Sequence, residues 1–158
     1  MSHHRRPASL PSVLVVDDFL DGRELLVEYL TYRGFTVHSA ANGEQAIDIA
    51  RGLQPDIVLM DLSMPGPLDG WHAARILKAD PQTRQTVVVA VTARTLTADI
   101  DAARAAGCDA VICKPFDITA LADALPRVLA HGVKALDVPG LSLKEHRWPS
   151  GRRDAAQS

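Results

Sequence analysis

The sequence predicts an α/β fold, a doubly wound five-stranded parallel sheet with helices on both faces. Three observations carry that expectation. Five short apolar, mostly β-branched runs, at residues 13–16, 36–39, 57–60, 86–91 and 110–113, alternate with five segments of helical periodicity. Most of these runs lack a polar alternation, which fits strands covered on both faces rather than on one. The 158 residues, 47% hydrophobic and 23% charged, suffice for one ordinary packed domain with short tails.

The elements follow in order. After the first strand, residues 20–33 place Leu25, Leu26, Tyr29 and Leu30 on one helical stripe that stops at Gly34. The second strand leads to Asn42, a residue type that caps helices, and to a helix over 44–51 with Ala46, Ile47 and Ala50 inward and Gly52 as its stop. A third helix over 70–79 turns Ala73, Ile76 and Leu77 inward and closes at Asp80-Pro81. The fourth covers 97–106 before Gly107. The fifth covers 118–129 after Asp117, with Pro126 predicted to kink it or fray its last turn. This divides the chain into a leader (1–12), one domain (13–130) and a flexible tail (131–158) whose scattered apolar residues are too few for a second core or an output module.

Composition removes several function classes. Residues 13–130 carry 16 Asp and Glu against 10 Lys and Arg, a net −6 that argues against a nucleic-acid surface on the folded part, so direct DNA binding is not expected. Cys108 and Cys113 are too few for a disulfide framework or a four-cysteine zinc site. Apolar runs of about six residues fall far short of the roughly 20 that cross a bilayer, and no signal peptide precedes them. No membrane insertion and a cytoplasmic location are the expectation. The six histidines show no ligand spacing.

In a doubly wound sheet, function gathers outside the carboxyl ends of the strands. Asp17 and Asp18 follow the first strand, Asp61 the third, Thr92 the fourth, and Lys114 with Pro115 the fifth. One Asp after a strand is ordinarily a turn or cap residue. Three carboxylates converging from different strands repel one another unless they hold a proton or a cation. An oxygen-only set suits a hard ion, Mg²⁺ (or Mn²⁺), rather than zinc. Cation, ammonium and hydroxyl together are what a phosphoryl group needs during in-line transfer, and one of the carboxylates can serve as the nucleophile.

These residues resemble the receiver domains of two-component response regulators, of the single-domain, chemotaxis-regulator-like kind. The motifs that carry the likeness are Val13-Leu-Val-Val-Asp-Asp18, Val58-Leu-Met-Asp-Leu-Ser-Met-Pro65, Val91-Thr-Ala93 and Cys113-Lys-Pro-Phe116, over residues 13–129. The resemblance implies a flavodoxin-like receiver fold with Asp61 as phosphoacceptor. It makes Asp17, Asp18, Asp61 and the backbone carbonyl of Ser63 the metal ligands, Thr92 the switch hydroxyl that moves toward the phosphoryl group, and Lys114 the residue that pairs with that group. It places a cis peptide bond before Pro115. It implies a phosphodonor that is a sensor histidine kinase or histidine phosphotransfer protein, an unknown downstream protein target met by the fourth helix, fifth strand and fifth helix, and a switch rather than a turnover enzyme.

Three departures stand out. Val111 occupies the position three residues before the lysine where receivers often carry Tyr or Phe, so the aromatic rotamer switch is absent. The loop Met64-Pro-Gly-Pro-Leu-Asp-Gly70 is one residue longer than the usual pattern. Ser63 and Arg94 place neither carboxylate nor amide where water would be oriented, which leans toward a longer-lived phosphate. A pseudo-receiver that docks partners without phosphate is the alternative reading. A phosphohydrolase is disfavoured, because such enzymes typically put a second acid two residues after the nucleophile, where Ser63 stands.

Overall fold

A computed structural model describes residues 10–62, 64, 69–93 and 97–144. Its elements are β1 (Ser12–Val16), α1 (Leu20–Tyr32), β2 (Thr36–Ala40), α2 (Gly43–Leu53), β3 (Ile57–Asp61), α3 (Gly70–Ala79), β4 (Val87–Thr92), α4 (Thr97–Ala105), β5 (Ala110–Cys113) and α5 (Ile118–His131). A 3₁₀ turn (Val133–Leu136) and a short strand, β6 (Ser142–Leu143), follow. The sheet order is β2-β1-β3-β4-β5-β6, with β1 to β5 parallel. The predicted α/β architecture is therefore present.

Alternation along each strand builds two cores. Leu14, Val16, Val58, Met60, Val88 and Ala90 face α2, α3 and α4. Val13, Val15, Ile57, Leu59, Val89 and Ile112 face α1 and α5. Because β1 is flanked by β2 on one side and β3 on the other, strand order reverses between β1 and β3. The crevice that such a reversal opens lies at the ends carrying Asp17 and Asp61.

The structure corrects several expectations. The sheet has a sixth strand, β6, which runs antiparallel to β5 with Ile112 opposite Leu143 and Cys113 opposite Ser142. The segment read as a flexible tail from residue 131 is instead folded as far as residue 144, because Leu136, Leu141 and Leu143 are buried in the α1/α5 core. Helix α2 does not stop at Gly52. It continues to Leu53 and ends where Gln54 takes a left-handed conformation (φ 48). Helix α5 continues past Pro126 to His131, held by the buried Leu125 and Val128 on either side of it. Leu25, placed on the inner stripe of α1, is 57% exposed, while Leu26 and Leu30 are buried.

Candidate phosphoacceptor site

Parallel register carries the acidic residues together. Val16 lies opposite Met60, so Asp17 and Asp61 leave adjacent strands at the same level. Asp61 in turn lies opposite Val91, one residue before Thr92. Thr92 is fully buried and opposite Cys113, and its carbonyl accepts the Lys114 backbone N–H at 2.7 Å. The peptide bond between Lys114 and Pro115 is cis, as the resemblance implied.

The side chains of Asp17, Asp18 and Asp61 each offer an oxygen, and these oxygens lie within 4.8 Å of one another. Lys114 Nζ stands 3.8 Å from Asp17 Oδ2 and 3.7 Å from Asp61 Oδ2. At that range the ammonium balances both carboxylates without closing a short hydrogen bond on either. Asp61 is 8% exposed, whereas Asp18 lies open to solvent. Asp17 also has a local duty. Its Oδ1 accepts the Phe19 N–H at 2.9 Å and its carbonyl accepts Arg23 Nη1 at 2.7 Å, which fixes the entry into α1 while Oδ2 faces the lysine.

The donor set suits a hard divalent cation. All three ligands are carboxylate oxygens, and in an octahedral Mg²⁺ adjacent ligands stand about 3 Å apart and opposite ones about 4 Å, so oxygens already within 4.8 Å of one another would draw inward onto the ion. Three carboxylates against one ammonium leave the cluster negative, which favours a cation. Ser63, expected to add a backbone carbonyl, lies outside the described residues, as do Arg94 and the inserted loop residues 65–68.

Two features escaped the sequence reading. A Cβ built on Gly70 would stand 2.2 Å from the Asp61 carbonyl oxygen and 2.7 Å from Leu62 Cα, so the start of α3 packs directly on the backbone of the acidic strand end. The signal was the Asp69-Gly70 pair, which reads equally well as a turn. The second is a cavity of about 500 Å³ beneath the site, between α1 and the loop after β5, with Phe19, Leu25, Leu59 and Phe116 among its walls and Asp17, Asp61 and Lys114 at its polar end.

A family model for the response regulator receiver domain matches residues 13–126. The chain belongs to this family. Among curated relatives, the receiver is 34% identical over 107 residues to the polar-differentiation response regulator DivK of Brucella anthropi, covering 68% of this chain and 86% of that protein. Among solved structures it superposes on the chemotaxis protein CheY4 of Vibrio cholerae with a TM-score of 0.69 at 27% identity, over 75% of this chain and 98% of that one. The receiver domain of a sensor histidine kinase from Pseudomonas aeruginosa, solved with a magnesium ion coordinated in its active site cleft, matches with a TM-score of 0.69 at 30% identity, over 76% and 98% of the two chains. Among the described residues of this receiver, no helix is long and apolar enough to cross a membrane.

Proposed function

We propose that this receiver is a phosphorylation-dependent switch of a two-component phosphorelay in the cytoplasm, and that Asp61 accepts the phosphoryl group. The observation that carries the reading is Lys114 Nζ held between Asp61 and Asp17, 3.7 and 3.8 Å away, beside three carboxylates gathered within 4.8 Å. The magnesium coordinated in the cleft of the Pseudomonas receiver supports the same ion here. Asp17, Asp18 and Asp61 would hold Mg²⁺ (or Mn²⁺), which supplies charge neutralisation to an incoming phosphoryl group.

The phosphodonor is a phosphohistidine on a histidine kinase or phosphotransfer protein. An Asp61 carboxylate oxygen attacks phosphorus in line, the nitrogen–phosphorus bond breaks, and its electron pair stays on the imidazole, which takes up a proton. Lys114 follows the phosphoryl oxygens with its ammonium, and Thr92 donates its hydroxyl to one of them. Water later cleaves the acyl phosphate and restores Asp61. The protein thus acts as a switch that engages a downstream protein rather than as a turnover enzyme.

Incubation with Mg²⁺ and acetyl phosphate, followed by intact mass, tests this. One added phosphoryl group is expected on the native chain, with none on Asp61→Asn and none after chelation of the metal. No adduct on the native chain, or an undiminished one on Asp61→Asn, overturns the reading and leaves phosphate-independent docking.

A further inference from the structure

The read-out path of this receiver has a gap and an addition. The gap is Val111, small and buried, where the family often has an aromatic side chain. The addition is residues 132–144, which cross α5 and close the outer edge of β5. The two meet, since the Lys144 N–H donates to the Val111 carbonyl at 2.9 Å.

Just before β6 the added segment also touches the loop that carries Lys114. The Asp117 N–H donates to the Gly140 carbonyl at 3.0 Å, while Asp117 Oδ1 caps α5 by accepting from Thr119 and Ala120. Gly140 has φ +94, and a Cβ there would lie 3.0 Å from Asp117 Cβ and 3.1 Å from Ala120 Cβ. The Gly140 backbone therefore packs on the Cβ atoms of the cap and first turn of α5, which are fixed to the helix and cannot swing aside to absorb a movement. A short covalent path runs from Lys114 to Asp117. Lys114 is also tied by its own N–H to the carbonyl of Thr92.

We propose that residues 132–144 form a strap that reads the phosphorylation state through the Lys114 loop. The inference rests on the proposed phosphorylation of Asp61. When Lys114 follows the phosphoryl group, the loop is drawn toward the site and away from Gly140. The Asp117–Gly140 hydrogen bond lengthens, and β6 loosens on β5. The face a downstream protein meets beside β5 is then the strap, with Lys134, Asp137, Pro139 and Ser142 exposed on it. Its hold on the receiver changes with phosphate. This gives the switch an output that needs no aromatic at Val111.

The test is residue-resolved amide exchange on the full chain with Mg²⁺, with and without acetyl phosphate, with intact mass recorded in parallel. The Asp117 and Lys144 amides are expected to exchange at least threefold faster in the phosphorylated protein and to stay unchanged in Asp61→Asn. In Gly140→Ala, both amides should exchange fast already without phosphate, and phosphate should add nothing. A phosphorylated native chain with unchanged or slower exchange at Asp117 and Lys144 overturns the strap while leaving Asp61 as phosphoacceptor. So does Gly140→Ala that keeps the native response. Absence of the phosphoryl adduct overturns both.

Discussion

Gly70 shows how one missing side chain sets the position of the acidic centre. Its Cα faces the Asp61 carbonyl so closely that any Cβ would stand 2.2 Å from that oxygen, and the obstructing atoms are backbone, which cannot swing aside. Gly70→Ala should therefore push α3 off the end of β3, cost about 1–3 kcal/mol in urea unfolding, and slow acetyl phosphate labelling about tenfold. Lys114 acts in the opposite sense on the metal. Its ammonium lies within 4 Å of two of the carboxylates and repels a divalent cation held by them. Lys114→Ala should raise Mg²⁺ affinity about five- to tenfold in calorimetry while slowing phosphoryl transfer, because charge on the transferred group loses its partner. The carboxylates, Thr92 and Lys114 were legible in the sequence because each sits directly after its own apolar run. The Gly70 contact was not, because it depends on two segments meeting across an inserted loop.

Helix α3 links that contact to the acid response of the protein. It is held at its start by Asp69, whose Oδ1 accepts the His72 N–H at 3.0 Å and pairs with His72 Nδ1 at 2.8 Å. At its end Asp80 accepts the Gln82 N–H at 2.9 Å and pairs with Arg51 Nε of α2 at 2.7 Å. Burial alone would push the Asp69 carboxyl up, but the His72 backbone N–H and ring together hold it below the usual carboxylate range. The Gln82 N–H, then Arg51, hold Asp80 low as well. For carboxyls lowered in the folded state, the stabilisation is complete above the unfolded value near pH 4 and is lost as pH falls through the folded value. Urea midpoints should thus fall below about pH 4, and Asp69→Ala should flatten part of that fall while costing about 1 kcal/mol at neutral pH. Helix existence was readable from periodicity, yet one boundary and one facing were not. Gln54 rather than Gly52 ends α2 because the left-handed turn falls at Gln54, whose N–H closes the last helical hydrogen bond on the Ala50 carbonyl, and Leu25 turns outward while Leu26 and Leu30 cover the sheet.

The whole molecule differs from the plain five-stranded expectation through its C-terminal strap. Leu136, Leu141 and Leu143 are buried against the α1/α5 core, and each contributes roughly 1.5–3 kcal/mol by burial. The lost backbone freedom of ordering residues 132–144 offsets much of that gain, so the net contribution is smaller than the burial alone. A chain ending at His131 uncovers that part of the core and is therefore expected to unfold at a lower urea concentration, read by circular dichroism. The strap was hidden in the sequence because β6 is two residues long, too short for any alternation to register, and because Gly132, Pro139 and Gly140 read as linker residues although they turn the chain back onto α5. The central site, by contrast, was legible because parallel register brings strand ends together wherever the runs themselves are recognisable. Its role is tested most directly by locating the phosphoryl group. After labelling with Mg²⁺ and acetyl phosphate, borohydride reduction converts a phosphorylated aspartate to homoserine, which peptide mass then assigns to a position. The account predicts conversion at Asp61. Conversion at Asp17 or Asp18 instead, or none on any aspartate, would contradict it.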